Sequence, residues 1–196
     1  MKFFLLFLLK IYTSFYKNKF YSFGKGSIIK PLLNTSNPEF ISIGENVNIG
    51  SFNRITVSTE FGGKKCKSNH KIRILIKDNV DIGNNSFISA NNSIKIGSHT
   101  ILSSYVFITD HNHGFEDIKK SLHEQSLSEG GEVVIGDNVF LGTKCSVLKN
   151  VKIGRHSVIG ANSVVTQNIP SYSVAVGNPA KVIKQFDMKK NKWMKI

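Results

Sequence analysis

An aliphatic residue returns every six positions through the second half of the chain, at Ile135, Leu141, Val147, Ile153, Ile159 and Val165. Gly136, Gly142, Gly154 and Gly160 directly follow four of them. The same phase runs earlier through Ile43, Ile49 and Ile55, then through Ile76, Ile82, Ile88 and Ile94, and after a slip of two residues through Ile96, Leu102 and Ile108. No helix repeats every six residues, and a half-buried strand repeats every two. A six-residue unit is one short strand plus one corner, and stacked units form a solenoid, a parallel β-helix. Each aliphatic side chain then points inward onto its equivalents in neighbouring coils. The Gly or Asn beside it is expected to turn the corner at φ > 0, which those residues adopt at low cost. The expected fold class is all-β.

The chain of 196 residues, 40% of them hydrophobic, is long enough for one continuous core. Its two cysteines, Cys66 and Cys145, lie in different segments without metal-ligand spacing. Cys145 falls in a hexad where a small buried residue fits, so it reads as packing, and neither cysteine calls for an oxidising compartment. Lys and Arg outnumber Asp and Glu 26 to 13, for a net charge of +13. The excess gathers in Lys10 to Lys30, Lys64 to Arg73 and Lys181 to Lys195. Such patches suit nucleic acid, an anionic membrane or a phosphorylated ligand. No nucleic-acid-binding motif accompanies them, which leaves membrane and phosphorylated ligand.

The coils divide the chain. Residues 1–26 form an N-terminal amphipathic or capping segment. Residues 27–183 form the β-helix, interrupted by insert loops at 59–71 and 109–131, and 184–196 form a basic tail containing Trp193. The uninterrupted apolar run at the start, Phe3 to Leu9, is far shorter than the roughly 20 residues that span a bilayer, and no small-residue cleavage site follows it. The next stretch mixes Tyr and Phe with Lys10, Lys17 and Lys19, the composition of an interfacial helix. An open solenoid end also needs a cap. The two roles are compatible, and the expected location is cytoplasmic with peripheral contact to the inner membrane.

The insert beginning at Thr109 carries His111, His113 and His123, and it opens Thr109-Asp-His-Asn-His113. Two histidines, an aspartate and an asparagine so close together suit a general base, because a neutral imidazole accepts a proton near pH 7 and a carboxylate fixes its tautomer. A shared metal ion is the rival reading, although further ligands are not evident. A solvated polar loop is the third. His99, His156 and His70 read as exposed turn or loop residues.

The hexads, the histidine-bearing insert and the closing Val174-Ala-Val-Gly-Asn-Pro-Ala-Lys-Val-Ile183 together resemble the hexapeptide-repeat acyltransferases. Within them the likeness is to sugar O-acetyltransferases such as galactoside and maltose acetyltransferases and enzymes of capsule and O-antigen assembly. It covers roughly Ser42 to Ile183. The resemblance implies a left-handed parallel β-helix, a homotrimer, and acetyl-CoA held between adjacent subunits; no metal is expected, and no nucleic acid, for want of a binding motif. It also implies a histidine that deprotonates an acceptor hydroxyl for direct attack on the thioester. A gap-free match from Ile96-Gly97 lands on His113, and a shift of two lands on His111, beside Asp110. Asp110 would orient whichever imidazole acts.

By the same resemblance Asn91 would touch the acceptor, a sugar or lipid-linked saccharide. Phe140, Gly142, Thr143, Gly160, Ala161, Thr166 and Lys181 would line the cofactor, Lys181 pairing with a phosphate. A backbone N–H near Gly142 would stabilise the oxyanion. Phe140 stands where relatives often carry Trp, and Gln167 where Lys is frequent. The glycines have a purely geometric reading as corners, and Lys181 one as a solvated lysine. The other functions carried forward are a metalloenzyme of the carbonic-anhydrase type on the same β-helix and a non-catalytic scaffold.

Overall fold

A computed structural model describes residues 2–66 and 68–196. The hexads form two-to-four-residue strands arranged in three parallel sheets that wrap one core, a left-handed parallel β-helix. Each full coil contributes one strand to each sheet. Coil one contains Ser22–Phe23, Ile28–Ile29 and Asn34–Ser36, so coiling begins just before Ser27. Coil four contains Ser93–Ile96, Ile101–Leu102 and Phe107–Thr109. Coil five contains Glu132–Ile135, Phe140–Leu141 and Ser146–Val147.

The register makes the hexads into columns. In the first sheet Ile43, Ile76, Ile96, Ile135 and Ile153 stand over one another. In the second, Ile29, Ile49, Ile82, Leu102, Leu141, Ile159 and Ala175 do so. In the third the column is Ile55, Ile88, Ile108, Val147 and Val165. All of these side chains are at most 1% exposed. Parallel strands buried on their inner face gain chiefly from this apolar burial, about 25 cal/mol per Å² removed from water. Ile94, at 0% exposure between Ile74 and Val133, illustrates the cost of a gap. Ile94→Ala is expected to destabilise the fold by about 2–5 kcal/mol, read from the urea midpoint.

The corners bear out the expectation for Asn and differ from it for Gly. Gly44, Gly50, Gly83, Gly97, Gly136, Gly142, Gly154 and Gly160 do not carry the positive φ, which falls two residues later, at Asn46, Phe52, Asn85, His99, Asn138, Lys144, His156 and Asn162. The glycines answer to coil spacing instead. A Cβ on Gly97 would lie 2.4 Å from the Gly136 carbonyl carbon in the next coil. His99 and His156 are thus exposed left-handed corner residues, as expected.

Helix α1 (Lys2–Lys17) closes the first coil. Its Thr13 Oγ1 accepts a hydrogen bond from Ile29 N at 3.0 Å, and its Tyr12 hydroxyl accepts one from Leu32 N at 2.9 Å. No described helix is long and apolar enough to cross a membrane. The 59–71 insert is more ordered than a plain surface bulge: Glu60–Phe61 and Lys64–Lys65 pair as an antiparallel hairpin. At the other end the basic tail is also structured. Strand Lys181–Asp187 turns back antiparallel on Ser173–Val176, and Lys192–Lys195 adds to it. Phe186 and Trp193 meet edge to face, with ring centroids 5.5 Å apart.

Candidate active site

The slip of two residues has a structural cause. Ile76 and Ile96 are column neighbours two residues further apart than the 18 that separate Ile135 from Ile153. The surplus lies at the corner Ala90–Ser93, where the backbone curls around one side chain. Asp110, 0% exposed, accepts hydrogen bonds from the N–H of Asn91 on Oδ1 and of Asn92 and Ser93 on Oδ2, each at 2.7 Å. His111 Nδ1 completes the set, 2.8 Å from Oδ1. Three backbone N–H donors on the two oxygens suit an acceptor-only group, a carboxylate, which has room for a fourth donor. His111 therefore carries its proton on Nδ1 and donates it to Asp110, which leaves the Nε2 lone pair free.

Asp110 also begins the excursion and anchors its end. Gly131 N donates to Asp110 O at 2.7 Å, and Asn92 Nδ2 donates to Gly131 O at 3.0 Å. Between them the chain folds back on itself, with Ser128 N donating to Asn112 O and Gly114 N to Ser126 O. The exit and return points of the excursion are thereby held at one corner of coil four.

His111 borders a hollow of about 510 Å³ on the outer face of the third sheet. The outward side chains Arg54, Phe87 and Phe107 form its floor, in register on successive coils. The Arg54 guanidinium lies 4.9 Å from the Phe87 ring centroid. Ser58, Ser89 and Thr109 supply hydroxyls at the rim. His113 borders the same hollow in a different setting: it is exposed, with its ring edge-on to Phe61 of the insert hairpin, centroids 5.0 Å apart. Among the described residues, no three His, Cys, Asp or Glu side chains converge to hold a metal ion.

Asn91 does not line this hollow. It lines a second cavity of about 580 Å³ between the hairpin and the excursion, with Lys64, Lys65 and Ser68. Its side chain donates to Ser128 O at 3.2 Å, while its buried Oδ1 has no hydrogen-bond partner among the described residues.

The residues matched to a cofactor do not gather around His111 within one chain. Phe140 to Thr143, Gly160 and Ala161 lie along the second sheet and its corner into the third, whereas His111 follows the opposite edge of the third. The corner 143–145 and the strand Ser146–Val147 separate the two sets. Thr166 does share the His111 edge, because Thr109, Leu148 and Thr166 are successive in one column. Lys181 opens the closing antiparallel strand after a cis Asn178–Pro179 bond and makes no ion pair among the described residues.

Of the backbone N–H groups near Gly142, that of Gly142 itself is engaged, donating to Ile159 O at 2.8 Å within the coil ladder. Its lack of a side chain also has a packing cause, because a Cβ there would lie 2.6 Å from Ala161 N. Cys145 is packing material, fully buried, with Sγ donating to Gly160 O and burial pushing its thiol pKa up. The hollow's floor and the hairpin wall escaped the reading of the sequence. A signal for the floor existed, in that Arg54, Phe87 and Phe107 each directly precede a core isoleucine.

A hexad solenoid with a buried carboxylate–imidazole pair at an excursion defines a class, and comparison with known proteins gives the same one. Residues 132–167 match the family described as bacterial transferase hexapeptide (six repeats). WbbJ of Escherichia coli K12, provisionally named a lipopolysaccharide biosynthesis O-acetyl transferase, is 38% identical over 62% of this chain and 65% of its own length. A provisionally named acetyltransferase of Saccharomyces cerevisiae is 33% identical over 84% of this chain and 72% of its own. The chain belongs to the hexapeptide-repeat transferase family. It spans somewhat less than two thirds of WbbJ.

Among solved structures, the Bacillus cereus N-acyltransferase AntD, in complex with dTDP and 3-hydroxybutyryl-CoA, superposes with a TM-score of 0.72 at 22% identity, covering 91% of this chain and 89% of its own. A maltose O-acetyltransferase from Clostridium difficile 630 superposes with a TM-score of 0.59 at 27% identity, covering 87% of this chain and 72% of its own.

Proposed function

We propose that the chain is an acetyl-CoA-dependent O-acetyltransferase acting on a sugar hydroxyl, with His111 as general base. The observation that carries the assignment is the Asp110–His111 pair, in which a fully buried carboxylate holds the imidazole in the tautomer that can accept a proton at the edge of an open hollow. The names of the relatives support the acyl group and the sugar. WbbJ and the maltose enzyme are named for O-acetyl transfer, and AntD was solved with an acyl-CoA and a thymidine nucleotide.

In the reaction, Nε2 of His111 takes the proton of the acceptor hydroxyl as the oxygen bonds to the acetyl carbonyl carbon. The carbon–sulfur bond of the thioester then breaks, and the imidazolium returns the proton to the departing thiolate. Asp110 stabilises the imidazolium and keeps Nδ1 as its donor throughout. Holding both substrates in one groove removes the entropy cost of their encounter, and proton transfer adds about 10²–10⁴-fold.

Thr166 and Lys181 fit the cofactor role by position: the first shares the His111 edge two coils on, and the second is an exposed cation without an ion-pair partner among the described residues. Phe140, Thr143 and Ala161 lie across the sheet, so they join the same groove when a neighbouring copy supplies them, which favours a trimer with sites between subunits. The acceptor proposed is a saccharide of surface-polysaccharide assembly.

Calorimetric titration with acetyl-CoA, with CoA as control, tests the reading before any acceptor is known. Micromolar binding at one site per subunit is expected, and Lys181→Ala should weaken it by about tenfold, the loss of one charge-assisted contact of roughly 1.5 kcal/mol. A folded trimer that binds neither ligand would overturn the assignment.

A further inference from the structure

Helix α1 carries two apolar faces, and the solenoid uses only one. Leu9, Tyr12, Thr13 and Tyr16 face the first coil, within about 100° of one another on a helical wheel. Phe4, Phe7, Leu8, Ile11 and Phe15 occupy a second arc of about 100° pointing away from it. All five are exposed, Phe15 at 70% and Phe4 at 66%. Leu5 and Leu6 in the first turns are exposed as well. A helix whose only task was to cap a coil would carry polar residues on that outer arc.

The charge around it is one-signed. No Asp or Glu occurs before Glu39, whereas Lys2, Lys10, Lys17, Lys19, Lys25 and Lys30 all do. Lys10 and Lys17 lie on one flank of the outer arc. With Lys25 from the first coil they border a hollow of about 480 Å³ between helix and solenoid, whose wall includes Ser14 and Ser27. A phosphate-bearing headgroup can be met there by three ammonium groups, while the Ser14 and Ser27 hydroxyls already donate to Ile11 O and Gly44 O. At 16 residues α1 is too short to span a bilayer. An exposed apolar arc flanked by lysines is the pattern of a helix lying in the interface plane.

The geometry points to a membrane-docking surface: α1 lies along an anionic phospholipid bilayer, its outer apolar arc in the headgroup–acyl boundary and Lys10, Lys17 and Lys25 on lipid phosphates. The site at coil four would then stand three coils above the docked end, about 14 Å at the spacing of paired strands. The inference is independent of the acyl-transfer assignment, because it needs neither acetyl-CoA nor an acceptor.

Flotation of the full chain with vesicles of phosphatidylcholine alone, and of phosphatidylcholine mixed with phosphatidylglycerol, tests it. The chain is expected to float with the anionic vesicles only and to be released by high salt. Each lysine near an anionic surface strengthens binding by about fivefold, so Lys10→Glu with Lys17→Glu should weaken it by at least about 25-fold. Phe7→Glu with Phe15→Glu should abolish flotation while leaving the melting temperature unchanged, since neither side chain belongs to the core. Lys189→Glu with Lys190→Glu, at the opposite end of the solenoid, should float as the parent does. No flotation of the parent overturns the inference. So does loss of flotation in the Lys189/Lys190 variant alone. If the Phe7/Phe15 variant instead changes the molecular mass in solution without affecting flotation, the arc is a contact between copies of the chain and the membrane reading fails.

Discussion

His111→Ala is expected to lower the acetyl-transfer rate by about 10²–10⁴-fold, whereas His113→Ala should keep most of it. The two imidazoles border one hollow, and their partners separate them. His111 is 10% exposed and donates through Nδ1 to a carboxylate that is itself fixed by three backbone amides. Its rotation is blocked and its free nitrogen is the basic one. His113 leans on the edge of Phe61 and has no carboxylate partner among the described residues. Without such a partner its tautomer is not set, and an imidazolium forming there would lack a counter-charge. Steady-state kinetics on an accepted sugar with saturating acetyl-CoA would measure both variants. Equal losses in the two would assign His113 a share in the chemistry. Near-parent turnover in folded His111→Ala would sink the assignment of the base.

Asp110→Asn should damage rate and stability together. Asp110 is the only Asp or Glu buried among the described residues, and every position around it is a donor. An asparagine must point its NH₂ at one pair of these donors. Facing Asn92 and Ser93, it leaves two amides unpaired. Facing Asn91 and His111, it leaves one amide unpaired and drives the imidazole to the opposite tautomer, with the proton on Nε2. Either arrangement costs about 2–4 kcal/mol in stability. The second also removes the base, so turnover should fall by at least about 10²-fold. Urea unfolding and kinetics on the same preparation separate the two effects. A variant of parent stability would show that the amide shell does not depend on the charge.

The core was legible because a solenoid repeats one burial pattern, so Ile135 through Val165 announce their columns without knowledge of the rest of the fold. The slip at Ile94–Ile96 was legible as an irregularity, but its purpose was not. The shell around Asp110 consists of main-chain N–H groups, which every residue carries and which no spacing reveals. For the same reason the choice between His111 and His113 could not be made from a linear match. It depends on which imidazole reaches a carboxylate held from 17 to 19 residues away. The corner glycines misled for a related reason. Glycine serves both positive φ and close approach, and only the three-dimensional path distinguishes them.

The columns also make the solenoid a ruler. From the His111 corner on coil four to the closing strand at Lys181 the chain climbs in equal steps, each set by one backbone hydrogen bond between coils, about 4.8 Å. Side-chain substitutions cannot change that graduation; only whole coils can. Excising or duplicating one 18-residue turn such as Ile135 to Lys152 would alter the interval by one step while leaving the residues at either end intact. Selection for a donor of different length in such a chain would therefore act by counting coils rather than by reshaping a pocket.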